Sequence, residues 1–102
     1  MKWKCHYQAM AYFVKTTRKL ERVVKGFANH RRIEILMLLE KRPELSVTEI
    51  AESVNINFKT ASEHIRRLAI SGLVLKRNQG NTVRHVVSAL GVTILKFLRT
   101  LE

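Results

Sequence analysis

Apolar positions in this chain follow two different rhythms, and the places where one gives way to the other divide it into elements. From about His6 to Lys25, Met10, Phe13, Val14, Thr17, Leu20 and Val24 recur at three- and four-residue steps. Lys15, Arg18, Lys19 and Arg22 fall largely on the opposite side, which predicts an amphipathic helix interrupted at Gly26. A second helix is expected from near Asn29 to about Lys41 through Ile33, Leu36, Met37 and Leu39. Ile35 and Leu38 fill the gaps, so this helix is apolar on several sides and central to the core. Pro43 bars its continuation. Ser46 and Glu49 stand at N-cap and N3 spacing, with Leu45 and Ile50 as a hydrophobic staple, so a third helix should span Val47 to Val54. Asn55 follows where the chain must turn left-handed. Asn57 caps a fourth helix that turns Ala61, Ile65, Leu68 and Ala69 inward, and Gly72 ends it. Two short helices joined by a three-residue turn form a helix-turn-helix.

Beyond Gly72 the rhythm changes to β-prone runs, Leu73 to Arg77 and Thr82 to Val87. Asn78, Gln79, Gly80 and Asn81 between them suit a hairpin tip. Ser88 can cap a last helix in which Leu90, Ile94, Phe97, Leu98 and Leu101 recur at helical spacing, although Gly91 blurs its start. The expected fold is mainly α with a small β-hairpin, a winged helix-turn-helix in the order α-α-α-α-β-β-α.

Charge narrows the partners. The chain has 102 residues, 46% of them hydrophobic, with 19 Lys and Arg against 8 Asp and Glu, a formal net charge of +11. The apolar fraction is that of a globular domain rather than a disordered polycation. A folded domain that keeps so many cations, with pI ≈ 10.6, usually faces a polyanion, nucleic acid first and anionic lipid second. The single Cys forms no internal disulfide, so a reducing cytoplasm is the expected compartment. The apolar run Ala9 to Val14 is too short for a signal peptide or a membrane span. The chain contains no Asp, which excludes aspartate-based dyads and triads; the Glu residues of the central region fall on helix caps and outer faces, and an enzyme is not expected.

The fourth helix carries the candidate chemistry. With Ala61, Ile65 and Leu68 inward, its other side presents Lys59, Thr60, Ser62, Glu63 and Arg66, with His64 and Arg67 toward the flanks. A recognition helix needs such division, because the major groove admits a helix whose outer side chains reach base edges. Arg66 could reach guanine edges or the backbone; Lys59 and Arg67 suit phosphates, and His64 a phosphate contact or a structural role. Between Asn57 and His85, six Lys and Arg (Lys59, Arg66, Arg67, Lys76, Arg77 and Arg84) face one acid, Glu63. The wing places Arg77 and Arg84 on its stems and Asn78, Gln79 and Asn81 at its tip, an arrangement suited to a backbone or the minor groove. The same residues would also serve as a solvated face and as charges that blunt a sheet edge.

The stretch from Phe27 to Ser88 resembles the winged helix-turn-helix of the ArsR family of bacterial and archaeal repressors. The resemblance rests on FANHRRIEILMLLE, on ELSVTEIAESVNINFKTASEHIRRLAISGLV and on KRNQGNTVRHVVS, and most of all on Ser62-x-His64, Leu68 and Gly72-Leu73-Val74. It implies a homodimer reading a palindromic double-stranded DNA operator, with contacts from Lys59, Thr60, Ser62 and His64 and from the wing around Gly80. On this reading residues 1–102 form one domain, with 1–26 and 89–102 as flanking dimerisation helices. Met10, Phe13, Val14, Thr17, Leu90, Ile94, Phe97, Leu98 and Leu101 then form the interface. Trp3, Tyr7 and Tyr12 suit packing against the partner better than base stacking. The chain departs from metal-sensing members of the family. Ser46, Val47 and Thr48 stand where those members often place a Cys pair, residues 90–102 contain no Asp or His, and Cys5 with His6 makes half a site at best. No metal and no cofactor are expected, and a cytoplasmic, nucleoid-associated regulator is. One alternative stays open: a winged-helix interaction module, or a non-specific chromatin- or RNA-binding protein. The first 44 residues hold 11 Lys and Arg against 4 acids, so much of the charge lies outside the reading helix.

Overall fold

Short polar side chains fix where four of the five helices begin. In the computed structural model, which describes the backbone from residue 6 to 102 and the side chains from residue 16, Asn29 accepts from the N–H groups of Arg31 and Arg32 and opens α2 (His30–Lys41). Ser46 opens α3 (Val47–Val54) with the expected reciprocal pair: its Oγ accepts from Glu49 N at 3.2 Å, while its own N–H donates to Glu49 Oε1 at 3.0 Å. Asn57 accepts from Thr60 N at 2.7 Å and opens α4 (Phe58–Ile70); Ser88 accepts from Gly91 N at 3.0 Å and opens α5 (Ala89–Arg99). Each satisfies a donor that the first helical turn leaves unpaired. Asn55 is left-handed, with φ 57°, and closes α3.

The first helix departs from expectation. α1 (His6–Phe27) runs through Gly26 instead of stopping there. Gly26 is buried where α1 crosses the end of α4: a Cβ on it would lie 1.8 Å from Ser71 Oγ and 2.4 Å from Ser71 Cβ. The glycine is therefore a contact point between two helices. Gly91 plays a comparable part inside α5, where a Cβ would meet the Leu73 carbonyl oxygen at 2.5 Å.

The hairpin is also tighter than the sequence suggests. β1 (Val74–Gln79) pairs antiparallel with β2 (Thr82–Val87), Arg77 opposite Arg84 and Gln79 opposite Thr82. Asn78 and Gln79 thus lie in the ladder, and the tip is only Gly80 and Asn81. A two-residue tip is possible because Gly80 takes φ +62° at its first position. Leu45 adds a bridge on the outer edge of β2: Glu44 N donates to His85 O and His85 N to Leu45 O, both at 3.0 Å.

α2 is the hub, touching α1, α3, α4, α5 and β2. Its Ile35, Leu36 and Leu39 meet Ile50, Ile65, Leu68, Leu73 and Leu95, all of them buried. Burying each such side chain is worth about 1.5–3 kcal/mol. Leu95 was not among the α5 positions singled out by periodicity, yet it is the helix's fully buried core residue.

Candidate nucleic-acid interface

The amphipathic division of α4 is as its spacing requires. Ala61, Ile65 and Leu68 are buried, whereas Lys59, Thr60, Ser62, Glu63, Arg66 and Arg67 are exposed. The helix lies across α3 and α2, so its outer face stands clear of the core. Lys59 has no ion-pair partner among the described residues, and Thr60 and Ser62 sit in the first two turns, where the helix dipole favours a phosphate.

The two arginines of this face are not independent. Arg66 grips Glu63 in a fork, Nε to Oε2 at 3.0 Å and Nη2 to Oε1 at 2.8 Å, and Arg67 Nε donates to the same Oε1 at 3.1 Å. The hydrogen bond from Arg66 is the first cause that holds the Glu63 carboxyl down to about 2, and the same bond raises Arg66. Glu63 therefore stays charged and aims both guanidinium groups. Nothing in the sequence singled it out for this part, though its i,i+3 and i,i+4 spacing to the arginines carries the signal.

His64 turns partly inward. Its Nδ1 accepts from Arg32 Nε at 3.1 Å, and burial, then the Arg32 charge, hold its pKa below the ordinary histidine value. With Nδ1 accepting, the neutral ring carries its proton on Nε2. Arg32 itself reaches the carbonyls of Lys25 at 2.9 Å and Gly26 at 3.4 Å, so it ties α1, α2 and α4 together. This role escaped sequence reasoning because its partners are far apart along the chain.

On the wing, Gly80 and Asn81 project at the tip, and Asn78 and Gln79 are exposed on the strand beneath them. Arg77 and Arg84 are directed toward the turn before α3. Arg77 Nη2 donates to Glu44 Oε2 at 2.8 Å; Arg84 Nη1 donates to Glu49 Oε1 at 3.0 Å and to Glu44 O at 3.3 Å. Glu44 holds a left-handed backbone, φ 68°, between these contacts. His85 is fully buried, its Nδ1 2.8 Å from Leu45 O, and burial lowers its pKa.

The expected interface residues divide into two sets. Leu90, Phe97 and Leu101 are 41%, 53% and 66% exposed, and Thr17 is exposed. Ile94 and Leu98 are half-buried against the core. On α1, Leu20 and Val24 add further exposed apolar surface. Met10, Phe13 and Val14 lie outside the described side chains, as do Trp3, Cys5, His6, Tyr7 and Tyr12. Phe58, exposed in the first turn of α4, was not anticipated at all. Among the described residues no three His, Cys, Asp or Glu are grouped to hold a metal, and no helix is long and apolar enough to cross a membrane.

Residues 29–76, from the α2 cap into β1, match the family described as bacterial regulatory protein, arsR family. The transcriptional activator HlyU of Vibrio cholerae is 35% identical over 79 residues, 76% of this chain and 71% of that protein. The chain belongs to the ArsR family. It is a DNA-binding transcriptional regulator of that family, with recognition rather than catalysis as its chemistry. Among solved structures, this ArsR-family chain is similar to a homodimeric winged helix-turn-helix DNA-binding domain from Mycobacterium bovis. There the TM-score is 0.77 at 29% identity, with 99% of this chain and 88% of that one covered. It is also similar to HlyU from Vibrio vulnificus, with a TM-score of 0.70 at 29% identity, covering 91% and 97%. NolR from Sinorhizobium fredii, at 22% identity and a TM-score of 0.79 over 99% and 96%, shares the fold.

Proposed function

We propose that this chain acts in the cytoplasm, on the nucleoid, as a homodimer that reads a palindromic double-stranded operator and represses by occupying it. The observation that carries the proposal is the uncovered face of α4, with Lys59, Thr60, Ser62 and Arg66 outward over a helix whose other side is buried. In the major groove, Arg66 would address base edges, Lys59 and Arg67 phosphates, and the His64 ring a phosphate through Nε2. Asn78, Gln79 and Asn81 would lie along the backbone or minor groove, and Arg77 and Arg84 would exchange their glutamates for phosphates.

Two copies are supported by the apolar side chains that α1 and α5 leave exposed, Leu20, Val24, Leu90, Phe97 and Leu101, beside half-buried Ile94 and Leu98. The Mycobacterium bovis relative is described as homodimeric. No metal or cofactor enters this reading. Activation is a second reading of the outcome, favoured by the description of the Vibrio cholerae relative as an activator. Non-specific binding to DNA or RNA is a second reading of the contact, favoured by the cations outside α4.

In vitro selection from random duplexes, paired with the mass in solution, tests the proposal. The expected result is an inverted repeat with half-sites about 10 base pairs apart, bound by a particle of twice 11.8 kDa. A reporter carrying the selected site then separates repression from activation. A strict monomer, or a selection that returns no consensus, would overturn the proposal.

A further inference from the structure

Behind the reading face, where α1 crosses the end of α4, lies an open groove of about 290 Å³. Four cations line it, Arg22, Lys25, Arg32 and Arg67, with Ile70 and Ser71 beside them and no acidic residue. Two carboxylates reach these cations from outside the lining, and both are engaged. Glu21 reaches Lys25 at 3.4 Å, and Glu63 spends its oxygens on Arg66 and on Arg67 Nε.

The donors left over belong to the guanidinium ends. Arg32 is fixed by three hydrogen bonds through Nε and Nη1, which leaves Nη2 without a partner among the described residues. Both Nη groups of Arg67 and the whole Arg22 guanidinium are in the same state among those residues. Arg67 lies near enough to Arg32 to lower its pKa, after burial, as a like charge does. A concave site that gathers like charges around pre-placed donors gains most from an oxyanion seated between them. Ile70, 72% exposed, offers an apolar wall to whatever carries that anion.

Helical spacing turns this side of α1 away from Leu20 and Val24. Arg22 and Lys25 fall about 100–160° around the helix from those two residues, so a partner seated on the apolar stripe leaves the groove open.

We propose that this groove binds a phosphate group carried on a small molecule, and that the bound phosphate bridges α1 to α4. The chemistry is shared with a backbone phosphate of duplex DNA, and the experiment separates the two. Amide shifts of Gly26 and Ser71 in the full chain are followed by NMR at constant ionic strength, with inorganic phosphate, adenosine monophosphate, adenosine and a random duplex added in turn. Saturable shifts are expected with phosphate and, at lower concentration, with the monophosphate, and none with adenosine. Arg22→Gln, a change at an exposed position that leaves the Arg32 bonds intact, should weaken the monophosphate about tenfold or more.

Three results would overturn the proposal. Shifts that track ionic strength without saturating would remove the site, and equal shifts with adenosine would remove the anion. Shifts produced by duplex alone, with Arg22→Gln weakening only duplex binding, would assign the groove to the DNA backbone. The first two outcomes leave the reading of DNA by α4 untouched, and the third would extend its contact surface into the groove.

Discussion

Replacing Gly26 by Ala opposes two effects of similar size, and the structure says which one wins. Ala is the better helix former by about 0.8–1.0 kcal/mol, and Gly26 lies inside α1, so propensity alone predicts stabilisation. The new Cβ, however, would stand 1.8 Å from Ser71 Oγ and 2.4 Å from Ser71 Cβ. The hydroxyl can rotate away by giving up its 2.9 Å bond to the Arg67 carbonyl. The Ser71 Cβ cannot, so α1 and α4 must separate by about 1 Å, an overpacking cost of about 1–3 kcal/mol. Gly26→Ala should therefore destabilise by up to about 2 kcal/mol. In a Ser71→Gly background both obstructing atoms are gone, and the same change should stabilise by about 1 kcal/mol. Urea unfolding of the four proteins closes the cycle, with an expected coupling of about 1–3 kcal/mol. If Gly26→Ala has the same effect in both backgrounds, within about 0.5 kcal/mol, the helices do not meet through this pair and the α1–α4 crossing described above is wrong.

Further expectations concern the reading face and two histidines. Arg66→Ala should lower affinity for a selected operator about 5- to 150-fold while changing random-duplex binding little, read by fluorescence anisotropy on both DNAs; equal losses on both would make Arg66 a phosphate contact. Glu63→Gln frees Arg66 and Arg67 and adds one positive charge to the face, so random duplex should bind more tightly and with a steeper salt dependence. An unchanged slope would show that the two arginines do not face DNA. His64 and His85 both hold their protons less tightly when folded, so the unfolded chain binds more protons as pH falls through about 6.5. Stability should then be full above that pH and decline toward pH 5, seen as a falling urea midpoint, and a midpoint flat from pH 8 to 5 would contradict the buried placement of His85 and the partly buried one of His64.

Sequence revealed most where local chemistry decides the structure. The Ser46–Glu49 box, Asn55 and Asn57 act through neighbours within a few residues, so both ends of α3 and the start of α4 could be placed closely. The outward set on α4 was readable for a similar reason, since three buried apolar positions leave the remainder outside. What stayed hidden depends on distant partners. Gly26 reads as a breaker until Ser71 is seen against it. Arg84 reads as an unpaired cation until Glu49 is found beside it, 35 residues away along the chain. The α5 stripe was visible as a pattern, but spacing alone could not tell that Leu95 faces the core while Phe97 and Leu101 remain outside. The wing's tip was overestimated because the polar run Asn78 to Asn81 has the composition of a loop, whereas one left-handed glycine lets strand pairing continue to Gln79.

The bridge between Leu45 and His85 has a mechanical consequence. Because the segment entering α3 is laced to the wing's outer edge on one side, and α3 packs on α4 on the other, ribbon and helix cannot pivot separately. They form a single stylus whose shape is set at folding. A push delivered through α1 or α5 would therefore be passed to ribbon and helix together.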